Sequence, residues 1–173
     1  FHRGRFFYDS AIEQLRTAST LGIEQLDLLE YLAIASEEIG RTEDAIDFFR
    51  SAIEFGDEAI HKVSLADILI EEERYVEADR LLDEAAAQTS DVGILQHALL
   101  SSGLSLRRQE RWDEAVGVYE RLLEMNSSSA EAHYGLGETY YAMGDVNLAR
   151  YEWREAVRLD PNHIESLQRL QDD

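Results

Sequence analysis

The chain has no cysteine, a single proline and a single lysine, Lys62, among 173 residues. Without cysteine there are no disulfides, no thiol nucleophile and no thiolate metal site. One proline and ten glycines leave too little turn punctuation for an all-β fold of this length, so a helical array is expected. No apolar run approaches the ~20 residues that span a bilayer, and direct membrane insertion is not expected. The first residue is Phe1 rather than methionine. The sequence therefore reads as a piece of a longer protein, and its compartment stays open between cytoplasm and periplasm.

Positive charge is also scarce. Sixteen basic residues face 36 acidic ones, a formal net charge of −20. Residues 26 to 92 carry 5 basic and 19 acidic side chains, net −14. Such a field repels phosphate backbones, so no nucleic-acid partner is expected. The shortage of lysine against fifteen arginines is read as genome composition with a solvated acidic surface, in preference to adaptation to high salt.

What is abundant is an alanine-centred period. Ala11, Ala45, Ala78, Ala115 and Ala149 recur at intervals of 34, 33, 37 and 34 residues. Four residues after each stands a large residue, Leu15, Phe49, Leu82, Tyr119 or Trp153; seven residues after stands Ala18, Ala52, Ala85, Leu122 or Ala156. This spacing lays small and large residues along one helix face. The clearest unit runs from Ala130 to Pro161, where Leu136, Gly137 and Tyr140 face Ala149, Trp153 and Ala156 across a turn at Gly144. Gly144 is expected to take a positive φ, Asp145 to cap the second helix, and Pro161 to end it. A hairpin this short needs neighbours to bury its apolar face.

The run His133-x2-Leu136-Gly137-x2-Tyr140, followed by Ala149-x3-Trp153, Ala156 and Pro161, resembles the tetratricopeptide repeat. His133 departs from the family's frequent tryptophan. The resemblance implies an all-α, right-handed superhelical solenoid of antiparallel helix pairs in one array. It divides into a partial repeat at 1–25, repeats at 26–58, 59–92, 96–129 and 130–163, and a cap or severed sixth repeat at 164–173. In that last segment Leu167 and Leu170 are expected to cover the array's end, with Gln168, Arg169 and Gln171 facing water. The residues inserted before the fourth repeat are expected around Asp91 to Leu95, between hairpins. The third turn, Glu73-Arg74-Tyr75, lacks glycine, and Ser102 replaces the usual leucine of the fourth repeat.

The family commonly uses its first helices to line a concave groove, and the resemblance carries this role to named positions here. In the second repeat these are Asp27, Glu30, Tyr31, Ile34, Glu37 and Glu38. The third offers Ile60, Val63, Ser64, Asp67, Ile70 and Glu71. In the fourth they are His97, Leu100, Ser101, Leu104, Arg107 and Arg108, and in the fifth Glu131, Tyr134, Gly135, Glu138, Tyr141 and Ala142. About half of the apolar members are expected to pack against a neighbouring helix. The remainder are expected to contact a protein or peptide that is basic and partly apolar. Arg107 and Arg108 would either hold an acidic group or pair within the chain. The family's cationic clamp for acidic chaperone tails is not expected, because its positions hold Glu30 and Ile34, then Ser64, then His97 and Ser101.

No catalytic constellation stands out, and neither metal nor cofactor is expected. Gly135-x-Gly137 lies inside a helix, without the strand and third glycine of a dinucleotide fingerprint. Glu58-x-x-His61 has no second motif to complete a metal pair. The sequence thus points to a non-catalytic scaffold, with stacking on its parent chain or self-association through its ends as the alternative.

Overall fold

In the computed structural model, which describes residues 25–171, the chain divides into two compact units, Phe1–Gln88 and Thr89–Asp173. The partial first repeat, with Ala11, Leu15, Ala18 and the Phe1 to Phe7 aromatics, lies outside the described residues. The first unit contains α1 (Gln25–Glu38), α2 (Thr42–Gly56), α3 (Ala59–Glu71) and α4 (Tyr75–Gln88). The second contains α5 (Val92–Arg108), α6 (Trp112–Met125), α7 (Ala130–Ala142), α8 (Val146–Leu159) and α9 (Ile164–Gln171). Among the described residues the regular structure is all helical.

The alanine ruler falls where backbones meet. Ala45, Ala78, Ala115 and Ala149 are completely buried. So are Ala52, Ala85 and Ala156, while Phe49, Leu82, Tyr119, Trp153 and Leu122 fill the space beside them at 2% exposure or less. Small residues let the axes approach, and the large neighbours restore close packing. In the first unit α1 packs on α2, α2 on α3 and α3 on α4; in the second α5 packs on α6 and on α7, α6 on α7, α7 on α8, and α8 on α9. Leu99, Leu106, Tyr119, Leu122 and Leu136 form the core of the second unit. Gly103, beside Ser102, admits the Tyr119 ring, whose Cζ would lie 2.5 Å from a Cβ added there. The fourth repeat thus packs an aromatic ring on a glycine, next to the position where leucine is usual.

Among the described residues, all four turns within hairpins close in one way. Gly40, Glu73, Glu110 and Gly144 have φ of 72°, 59°, 59° and 88°. The residue after each donates its N–H back to the preceding helix: Arg41 to Ser36 O, Arg74 to Leu69 O, Arg111 to Leu106 O, and Asp145 to Tyr140 O. This is the Schellman closure, and it demands the left-handed conformation that glycine adopts without penalty. Glutamate adopts it at a cost of about 1 kcal/mol. Glu73→Gly and Glu110→Gly are therefore each expected to stabilise their unit by roughly 0.5–1 kcal/mol, and Gly40→Ala and Gly144→Ala to destabilise theirs. Thermal unfolding of the four variants checks the signs.

Capping also follows side-chain chemistry. Ser129 Oγ accepts from Ala132 N at 3.1 Å, and Asp145 Oδ1 accepts from Leu148 N at 3.2 Å. The inserted residues before the fourth repeat are absorbed differently from expectation. Instead of forming a longer loop they extend α5, which begins at Val92 under the cap Asp91, whose Oδ1 accepts from Ile94 N at 3.0 Å. An N-cap and four further residues able to continue the helix make this extension favourable.

Candidate partner-binding surfaces

In the first unit, Asp27, Glu30, Tyr31, Ile34 and Glu38 share one face of α1 by helical spacing, with Glu37 beside them. Tyr31 is 61% exposed and Ile34 44%, so two apolar side chains stand among the carboxylates. The neighbouring α3 brings Asp67, partly exposed, and Glu71, exposed. Burial pushes the Glu37 carboxyl above the usual range, and repulsion from Glu38 and then Asp67 adds to the rise. His61 Nε2 of α3 lies 3.8 Å from Glu30 Oε2 of α1.

Two of the expected contacts in this unit are withdrawn. Val63 is 0% and Ile70 1% exposed, so both are core residues that no partner can reach. Glu58 sits just ahead of α3, where its carbonyl accepts from His61 N at 3.2 Å, while the His61 ring is buried. Lys62, also buried, reaches Asp57 at 2.7 Å and Gln88 Oε1 at 3.0 Å. No group of three or more metal-ligating side chains gathers among the described residues.

In the second unit the expected positions separate into two kinds. His97, Arg108, Glu131 and Tyr141 are exposed, and Leu100, Leu104, Arg107 and Tyr134 are half-buried. Glu138, by contrast, is 8% exposed and already paired within the chain. Arg169 of α9 donates Nε–H to Glu138 Oε1 at 2.7 Å and Nη2–H to Oε2 at 2.6 Å. Arg107 approaches the same carboxylate at 3.8 Å. Leu104, Arg107, Arg108, Trp112, Tyr141 and Ala142 join this pair around a cavity of about 310 Å³.

The polar pattern of the last segment puts Arg169 in water, and the structure instead folds it onto α7. The repeat period held the signal. Glu138 and Arg169 lie 31 residues apart, close to one period, so successive first helices bring them side by side. The His133–Glu152 pair, 2.7 Å apart and nearly buried, was equally invisible to composition. It fills the position where the family often places tryptophan. Gly135 and Gly137 are packing residues: Cβ atoms there would lie 2.4 Å from the Tyr119 ring and 2.6 Å from the Trp153 ring.

Repeated helix pairs with small-on-large packing, presenting exposed mixed side chains on their first helices, define a repeat protein of the interaction class. The family profile described as tetratricopeptide repeat matches residues 4–60 and 100–164, and the chain belongs to this family. The family's repeats bind proteins and peptides, which makes the chain a protein-interaction scaffold. Among solved structures it is similar to YrrB, described as a TPR protein with an unusual peptide-binding site, at a TM-score of 0.74 and 19% identity, covering 98% of this chain and 86% of that one. It is also similar to TTC0263, a thermophilic TPR protein of Thermus thermophilus, at 0.76 and 17% identity over 95% and 89% of the two chains. MamA from Desulfovibrio magneticus RS-1 gives 0.76 and 15% identity over 91% and 88%. A 64-residue segment is 38% identical to the probable UDP-N-acetylglucosamine–peptide N-acetylglucosaminyltransferase SPINDLY of Arabidopsis thaliana. That segment is 37% of this chain, and the chain spans only 7% of that relative's length. Among the described residues no helix is long and apolar enough to cross a membrane.

Proposed function

We propose that the chain binds a basic, partly apolar segment of another protein, and that the α1–α3 face of the first unit contributes most of the selection. The exposure of Tyr31 and Ile34, 61% and 44%, among the carboxylates of α1 carries this reading. Glu37 is destabilised as an anion first by burial and then by repulsion from Glu38 and Asp67, and an incoming cation offsets both costs. Tyr31 and Ile34 supply apolar contact within the same patch. Exposed tyrosine is well suited to this use because it offers large contact area at small entropic cost. The exposed Glu131 and Tyr141, with His97, Leu100, Leu104 and Tyr134, extend the reading to the second unit.

The test is titration of a short peptide of alternating arginine, leucine and serine, with citrulline replacing arginine in the control. Glu30→Arg combined with Glu37→Arg is expected to weaken binding at least about ten-fold and to flatten its salt dependence. Unchanged affinity would sink the assignment. Acidity supplies a second check. Because the folded-state pKa of Glu37 is raised, this carboxylate loses its charge before ordinary glutamates as pH falls. Peptide affinity is thus expected to drop from above the ordinary glutamate range. The same shift works the other way on folding: protonation relieves first the burial of charge and then the repulsion, so this residue favours the folded state as pH falls toward its unfolded value. Binding and the Glu37 contribution to stability should move in opposite directions.

A further inference from the structure

We propose that Glu138 and the aromatic rings beside it form a guanidinium-binding subsite of the second unit, occupied in this structure by the chain's own Arg169, for which a partner's arginine competes. This rests on the reading that the partner is basic, and it adds a specific residue type and a control over access. The subsite is assembled from α7 and α8. Glu138 offers both carboxylate oxygens from a site that is 8% exposed, and Arg169 meets them with two parallel N–H···O bonds. The guanidinium carbon stands 5.5 Å from the centre of the Tyr141 ring and 5.8 Å from that of Trp153. These rings lie 5.6 Å apart at 43°, and the cation stands over both. A planar, forked cation satisfies two oxygens and stacks on rings together; an ammonium does not.

The occupant is held by a weak element. Helix α9 has eight residues, too short to persist without packing, and Ser166 is its one fully buried residue. Leu167 and Leu170 are only half-buried, and the Arg169 side chain remains 41% exposed. Without Arg169 the Glu138 carboxylate keeps only the ion pair with Arg107 at 3.8 Å, beyond hydrogen-bond distance. A buried carboxylate that loses its partner demands a replacement. Exchange of one guanidinium for another leaves the local charge unchanged, so Arg107 and Arg108 oppose an incoming arginine no more than they oppose the resident one. The cavity beside the pair gives the newcomer a route.

The experiment titrates the arginine peptide, and a copy with lysine for arginine, into the full chain and its variants. The Trp153 indole N–H resonance serves as a local reporter. Arg169→Ala is expected to bind the arginine peptide at least about ten-fold more tightly than the unsubstituted chain, with the Trp153 resonance moving. Adding Glu138→Gln should abolish the gain, the lysine copy should show little of it, and Arg169→Lys should fall between. No gain in Arg169→Ala, or equal gains for both peptides, overturns the subsite. Loss of the second unit's fold in both Arg169 variants also overturns it, by making Arg169 a strut rather than an exchangeable occupant. Binding that responds to Glu30→Arg with Glu37→Arg but not to Arg169→Ala defeats this inference alone. No binding of either basic peptide by any variant defeats both readings.

Discussion

Gly135→Ala is expected to destabilise the second unit by about 1–3 kcal/mol, the usual cost of overpacking a filled core. The added Cβ would sit 2.4 Å from Tyr119 Cζ and 2.8 Å from its hydroxyl oxygen. The ring cannot retreat, because a Cβ at Gly103 would lie 2.5 Å from Cζ as well. Tyr119 is thus gripped between α5 and α7, and its burial pushes the phenol pKa up. Urea unfolding measures the cost. In a Tyr119→Ala background the same Gly135→Ala change should lose most of its penalty, a non-additivity expected only for direct contact. Gly117→Ala on α6 is the matched control. Nothing lies within 4 Å of the position its new methyl would take, so the change should stabilise by up to about 1 kcal/mol through helix propensity. If Gly117→Ala and Gly135→Ala behave alike, the grip on Tyr119 is wrong.

Trp153→Ala should cost more, about 3–5 kcal/mol, because it empties the largest buried side chain in the second hairpin of that unit. Trp153→Phe is expected to cost much less. The indole Nε1 is buried with no hydrogen-bond partner among the described residues, so removing its N–H sacrifices no bond. What the phenyl ring loses is volume next to Gly137, where an added Cβ would lie 2.6 Å from the indole Cδ1 and Nε1. Gly137→Ala should therefore be severely destabilising with Trp153 and far milder with Trp153→Phe. Equal penalties in the two backgrounds would show that the Ala149 carbonyl, 3.2 Å from the same Cβ position, sets the limit instead.

Turn closure and capping were legible in the sequence where one residue type answers one backbone need. Gly144 and Gly40 have positive φ, and Ser129 and Asp145 cap their helices. Glu73 and Glu110 show how far such reading extends. The third turn lacks glycine, yet Glu73 there and Glu110 in the next turn take the same left-handed conformation. The candidate surface was less legible. A repeat position names the helix face a residue occupies, and on that face Tyr31 and Ile34 are exposed. It placed Val63 and Ile70 no differently, although both are buried. Burial depends on how closely the neighbouring backbone approaches, which is a property of the assembled unit.

By itself the sequence determined the helical period, the family, the buried alanine row and the acidic character of residues 26–92, because each depends on residue type at fixed spacing along one helix. Only the tertiary structure decided which carboxylates remain available. Glu37 lies on the exposed face of α1 with its carboxyl partly desolvated beside Glu38 and Asp67, while Glu138 is buried and held by Arg169 from a helix one repeat further on. That difference arises between helices rather than within one. Charge pairing across 31 residues is set by distances of a few ångströms, which appear only once the hairpins have packed.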